Sequence, residues 1–371
     1  DVNVITFTTS GYTGDADVYY AAVTVAGGTT AAPTQYSDYT LLGTFKTGTH
    51  EEIEIVAAAD TDVYVAVSKD GMLSNIYKIP TYLAANWEPS TFFADVDAAA
   101  NTPSIKGKFG ITTEGTAGVK ETVRTLHYFI QAGGLTDDAT KEVIKLGDWI
   151  DLESLSVAAY NGAGGFTATA NPQLIVAGIN SFRSGTGSYA ETVNDGVDHV
   201  VFHFQNMPVL RRMNAAATNA GGYAESEMRK YLTTVEDDAD SGKFLAGLVA
   251  AGVPKSVMWA PLRHVATGND AGDGTKVKDL LWLPTVREMF ESTDGYASTY
   301  ETEGNQAWLE YYSSNDRRKK AAPTGEEVTY YLGSAAFSKD PDLFATVLSD
   351  GNPTYTAANN EAGCVPAFCI N

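Results

Sequence analysis

The chain has 371 residues, 44% of them hydrophobic and 19% charged, enough apolar material for the cores of two or three domains. Its formal net charge is −21, from 46 acidic and 25 basic residues. A surface that negative repels phosphate backbones and anionic lipid, which argues against nucleic-acid binding and against membrane docking through a basic patch. No run of about 18 apolar residues occurs, so no direct membrane insertion is expected. The sequence opens at Asp1 without a signal-peptide pattern, as a mature chain that has lost a leader or lipid anchor would.

Residues 1–85 read as all-β. Strand-like runs cover Val2 to Thr8, Val18 to Val25, Tyr39 to Phe45, Glu52 to Val56, Asp62 to Val67 and Ser74 to Ile79. Glu52 to Val56 alternates polar and apolar residues, as a strand with one wet face does. Gly11, Gly14, Gly27-Gly28, Gly48 and Asp70-Gly71 supply turns between the runs. Short strands at this spacing predict an immunoglobulin-like or fibronectin-like β-sandwich, a spacer or assembly module through which oligomers could form. Residues 86–115, with Pro89, Pro103 and an Ala-rich stretch, read as a connector.

Residues 116–371 form the second expected domain. Val119, Val123, Leu126 and Ile130 recur at helical spacing, and Gly133-Gly134 ends the run. Ser156 to Tyr160, Gln173 to Ile179 and His199 to Phe204 are strand-like, the last a central strand. Helices are expected at Tyr223 to Leu232 and Ser241 to Ala251, the latter stopped by Gly252 and Pro254. Thr285-Val286-Arg287-Glu288 is a capping-box pattern, placing Met289 and Phe290 in a short helix. Residues 300–371 return to short strands and loops, and the whole reads as α+β.

Little in this chain gathers chemistry. His199 and His203 on one strand would stand about 13 Å apart, too far to share a metal easily, and read as structural. The acidic loop Asn269 to Gly274 lacks the glutamate a calcium loop needs at its twelfth position, where Leu281 stands. Asp340-Pro341-Asp342 offers only two carboxylates. The basic clusters Arg211-Arg212 and Arg317-Arg318-Lys319-Lys320 are expected to neutralise nearby acids. Cys364 and Cys369, if they lie on one strand, point to opposite faces roughly 16 Å apart, which predicts two unpaired buried thiols. No cofactor and no metal is expected.

Several segments are familiar in combination: Leu126 to Leu135 (LHYFIQAGGL), Leu146 to Leu152 (LGDWIDL), Ile175 to Phe182 (IVAGINSF), Phe204 to Pro208 (FQNMP), Met213-Asn214, Asn219 to Tyr223 (NAGGY), Leu281 to Thr285 (LWLPT) and Gly363 to Cys369 (GCVPAFC). In this order they resemble the variable proteins of diversity-generating retroelements, closest to the treponemal variable-protein type. The likeness runs from about Thr116 to Asn371. It implies a C-type lectin fold of the subtype shared with formylglycine-generating enzyme, preceded here by the immunoglobulin-like sandwich.

The resemblance implies a non-enzymatic, displayed ligand-binding protein with a variable region at about residues 330–361. The candidate binding residues it places there are Ser338, Asp340, Asp342, Leu343, Ala345, Leu348, Asp350, Asn352, Thr354, Tyr355, Thr356, Asn359 and Asn360. Gly333, Gly351, Pro353 and Gly363 would fix the chain path. Lys339 and Glu361 depart from what adenine-specific diversification produces: either they are fixed scaffold positions, or the chain is a relative that keeps the fold without active diversification. The implied ligand is a protein rather than a glycan, since the Glu-Pro-Asn and Gln-Pro-Asp triplets of calcium-dependent lectins are missing. The implied location is extracellular, on a cell or virion surface. Two alternatives stand beside this: a structural virion or surface-filament subunit with a lectin-like head, and an enzyme of the formylglycine-generating type. The second is disfavoured because no cysteine follows Tyr331-Leu332-Gly333-Ser334 until Cys364.

Overall fold

A computed structural model describes residues 2–8, 15–24, 39–46, 50–56, 61–69, 72–73, 77–79, 102–131, 133–135, 142–160, 164–168, 172–183, 196–235, 238–267, 274–290, 308–322, 324–336 and 340–371. The chain forms two compact units, residues 1–93 and 94–371, of mixed α+β content.

The first unit holds the strands β1 (Val2–Thr8), β2 (Asp15–Thr24), β3 (Thr40–Lys46), β4 (His50–Val56), β5 (Thr61–Lys69), β6 (Met72–Leu73) and β7 (Tyr77–Ile79). β1 pairs antiparallel with β4, and a second sheet runs β3-β2-β5-β6, with β7 also on β5. Ala21 lies opposite Tyr64 and Tyr19 opposite Ala66, and Tyr19, Ala21, Tyr39, Tyr64 and Ala66 pack together. Val18 and Val65, which alternation turns to the other face, are buried as well. β2 and β5 are thus covered on both sides, the condition of central strands.

The first described helices of the second unit are α1 (Ile105–Lys108) and α2 (Gly115–Gln131), inside and just beyond the stretch expected as a connector. Trp149 donates its backbone N–H to Pro103 O, and the buried Lys108 ammonium reaches Asp148 Oδ2 at 3.1 Å and Val143 O at 2.8 Å. These bonds tie residues 103–108 to the start of β8 (Trp149–Asp151). β9 (Ser156–Val157) and β10 (Phe166–Thr167) pair with each other. β11 (Gln173–Ile179) and β12 (Val200–Phe204) follow, then β13 (Val209–Arg211).

The helix expected at Tyr223 to Leu232 is two helices, α3 (Gly222–Glu225) and α4 (Glu227–Leu232). Ser226 separates them: its backbone is extended, at φ −69° and ψ 149°, and its hydroxyl caps the next helix by accepting from Arg229 N. α5 (Lys243–Ala250) lies inside its expected bounds and is followed by β14 (Met258–Trp259), β15 (Leu262–Ala266), β16 (Gly274–Lys278) and α6 (Val286–Met289). The capping box at Thr285 and Glu288 is present, and Phe290 caps α6 instead of lying within it. The rest is α7 (Asn315–Arg318), β17 (Tyr330–Ala335), β18 (Leu343–Val347), β19 (Pro353–Ala357), β20 (Ala362–Cys364) and β21 (Ala367–Ile370).

Two five-stranded sheets carry this unit. The first runs β14-β21-β12-β11-β8 and the second β13-β20-β17-β18-β19. β12 is buried at every position, as its apolar run predicts for a strand paired on both sides. Among the described residues no helix is long and apolar enough to cross a membrane.

The two cysteines lie on different strands in different sheets, Cys364 on β20 and Cys369 on β21, because the chain breaks pairing at Val365-Pro366. They are unpaired and buried, as expected, although not by the single-strand geometry that predicted it.

Candidate functional site

The residues singled out from the sequence fall on the β18–β19 hairpin, the outer edge of the second sheet. Leu343 pairs with Ala357, Ala345 with Tyr355 and Val347 with Pro353, while Phe344 pairs with Thr356 and Thr346 with Thr354. Side chains alternate along a strand, so Tyr355 shares a face with Ala345, and Thr354 and Thr356 share the opposite face with Phe344 and Thr346. The expected binding residues therefore do not form one continuous face. Ala345 is fully buried and offers no surface to a ligand, a correction to its expected role. Thr356 hydrogen-bonds the buried Thr346 hydroxyl at 3.1 Å. Leu343, Thr354 and Tyr355 are half-buried. Ser338 lies outside the described residues.

What remains is grouped at the two ends of the hairpin, roughly 16 Å apart for five residues of strand. Leu348, Asp350 and Asn352 are exposed at the turn. Asp340, Asn359 and Asn360 are exposed at the opposite end, with Asp342 half-buried beside them.

The two ends are held in different ways. At the turn the side chains themselves make the structure. Asp350 accepts from Asn352 N at 3.0 Å and Asn352 Nδ2 at 2.9 Å, and Asn352 Oδ1 accepts from Asn315 Nδ2 at 2.8 Å. Arg318 donates to Gly351 O at 3.3 Å and also to Asn315 Oδ1. The Asn352 donors hold the Asp350 carboxyl below its usual range, with a smaller contribution from Lys319. Gly351 adopts φ +84°, and a Cβ there would stand 2.2 Å from Asn315 O. Gly351→Ala is accordingly expected to cost about 1–3 kcal/mol in backbone strain and to push α7 off the turn, read by chemical denaturation.

At the other end the chain is held through its backbone. Asn219, only 2% exposed, donates Nδ2 to Ala336 O at 2.8 Å, Leu343 O at 2.9 Å and Asp340 O at 3.1 Å. Its own N–H goes to Pro341 O at 2.7 Å. From β17, the Tyr331 hydroxyl lies 2.5 Å from Ala357 O and 2.9 Å from Asn360 O. Ala358 N bonds Asp342 O at 2.7 Å, joining the two loops. Among the described residues, none of the bonds fixing these loops uses the side chains of Asp340, Asp342, Asn359 or Asn360. Asn219 was legible in the sequence only as part of Asn219 to Tyr223. Its three-carbonyl grip spans more than a hundred residues and leaves no local pattern.

The groups that looked chemically active are engaged in structure. His199 donates from Nδ1 to Val197 O at 2.8 Å and accepts Phe182 N on Nε2 at 3.0 Å, and burial moves its pKa down to about 4. His203 is likewise buried, with Val365 O at 2.9 Å from Nε2 and the Tyr312 hydroxyl at Nδ1. Burial pushes the Cys364 thiol up to about 12 and raises Cys369 too, which keeps both in the unreactive thiol form at neutral pH. Among the described residues no group of three or more His, Cys, Asp or Glu is placed to hold a metal. Of the acidic loop at 269–274, only Gly274 lies within the described residues.

The basic run behaves differently from expectation. Lys319 does meet acids, Asp316 at 3.0 Å and Glu327 at 3.8 Å, but Arg317 lies over the Tyr311 ring and Arg318 binds backbone carbonyls. Lys320 is buried against Phe204 O.

Residues 199–371, from the start of β12 onward, match a family described as a domain of unknown function (DUF6273). No curated protein and no solved structure matches the chain.

Proposed function

We propose that the chain is a non-enzymatic, surface-displayed binding protein whose second unit has a C-type-lectin-type fold and recognises a protein ligand through the loops at 340–343 and 357–360. One observation carries this reading: buried side chains hold those loops by their carbonyls. A loop whose path is set by Asn219 and Tyr331 keeps that path when its outward residues change. Such a preorganised backbone also lowers the entropy cost of binding. The resemblance to retroelement variable proteins supports the same assignment, because that role requires side-chain exchange on a constant frame. The burial of both thiols and of His199 and His203 supports a role other than catalysis.

Asp350 and Asn352 serve here as turn supports, so alanine at either position tests the turn as much as the ligand. The cleaner variant replaces Asp340, Asp342, Asn359 and Asn360 together by alanine. The wild-type chain is first screened against glycans and surface proteins, and any partner found is re-measured with the variant. We expect affinity to fall at least about tenfold, the effect of losing one or two strong contacts, with the thermal midpoint unchanged. Undiminished affinity in a folded variant would remove this face from consideration.

A further inference from the structure

Lys320 is 1% exposed. Its ammonium nitrogen lies 2.7 Å from Phe204 O and 3.2 Å from the Tyr312 hydroxyl. The Tyr312 hydroxyl also meets His203 Nδ1. Because His203 Nε2 faces the carbonyl of Val365, which can only accept, Nε2 carries the imidazole proton and Nδ1 accepts. The order of donation follows: Lys320 to Tyr312, Tyr312 to His203, His203 to Val365. All three side chains are buried.

The groups acting on this chain are few. Tyr330 and Tyr311 face Tyr312, Arg318 faces Tyr330, and Lys320 and His203 repel each other when charged. Among the described residues, no carboxylate acts on Lys320 or His203. Burial alone brings Lys320 down to about 7, and burial with the Lys320 charge moves His203 well below its ordinary value.

Tyr312 and Lys320 bracket α7 on its two sides in sequence. Between them, Asn315 and Arg318 hold the hairpin turn at Asn352 and Gly351. Loosening the bracket would remove these two bonds from the turn.

We propose that Lys320, Tyr312 and His203 form an acid-sensitive latch that fastens residues 308–322 to β12 and, through α7, holds the 348–352 turn of the candidate binding hairpin. The latch does not depend on the binding reading given above, whose loops lie at the opposite end of the hairpin. The sign follows from proton linkage. Opening lets Lys320 titrate near 10.5 instead of 7, so opening grows easier as pH falls across that interval and stays at its easiest below it. His203 adds a second increment below its ordinary value of 6.5.

Hydrogen exchange of the whole chain, corrected for intrinsic rates, tests this without any ligand. Between pH 8 and pH 5.5, opening of 308–322 and 348–352 should rise about ten- to a hundredfold, more than that of β11 or β12. Lys320→Met should reduce that rise by about tenfold. Equal pH response in Lys320→Met and wild type would overturn the latch. If that variant does not fold, the wild type decides alone: a pH response no larger in 308–322 than in the central strands would overturn it equally. Either failure leaves the binding-face variant above as an independent question.

Discussion

Glu288→Ala is expected to destabilise the second unit by about 3–5 kcal/mol, the cost of leaving one member of a buried ion pair alone. Arg263 and Glu288 are both fully buried, with Nε to Oε1 at 2.7 Å and Nη2 to Oε2 at 2.9 Å. Glu288 Oε2 also accepts from Thr285 N at 2.9 Å and from the Trp282 indole at 3.3 Å. Arg263 reaches Leu283 O at 3.1 Å and stacks over the Trp282 ring. One carboxylate thus serves as capping box for α6 and counter-ion for β15. Urea unfolding of the single variant should show the loss. The double variant Arg263→Met with Glu288→Leu should recover much of it, because removing both charges also removes their desolvation. Recovery no better than the single variant would mean that the hydrogen bonds to Thr285 and Trp282, rather than the unpaired charge, set the cost.

Asn219→Ala should cost about 2–4 kcal/mol and should act locally first. Two amide hydrogens serve three carbonyls there, so one bond is shared. Each buried carbonyl left unpaired costs about 1–3 kcal/mol unless water reaches it. Faster hydrogen exchange confined to 336–343 and 357–360 is the expected signature, with β11 and β12 unchanged. Asn219→Asp should do worse than alanine, since a carboxylate would face those same three oxygens. A uniform loss of protection across the unit would instead make Asn219 a global core residue.

Local patterns in the sequence carried much of this architecture. Each described strand of the first unit overlaps an apolar run between turn residues, except Met72–Leu73. The 3.6-residue spacing of Val119, Val123, Leu126 and Ile130 located α2, and Thr285 with Glu288 announced their own cap. What the sequence hid is non-local. Nothing near Glu288 names Arg263, and nothing in a run of four basic residues distinguishes Lys320, which is buried, from Lys319, which is not. Ala345 was placed on the binding face by the resemblance alone. Its full burial in β18, between β17 and β19, shows only in the folded chain. The candidate loops were legible as surface. That their frame is independent of their side chains was not, because Asn219 and Tyr331 act from elsewhere in the chain.

The position of β21 bears on how such a molecule is made. It lies inside its sheet, between β14 and β12, so β12 lacks one neighbour until residues 367–370 are available. His203 and Val365, which bond each other, are 162 positions apart. A ribosome extending at about 5–20 residues per second would need roughly 10–30 seconds to bridge that interval. Throughout it, a strand that is buried at every position in the finished fold would have an open flank, an invitation to aggregation that chaperones would have to cover. Premature termination a few codons before residue 367 should therefore yield insoluble material rather than a slightly weakened protein.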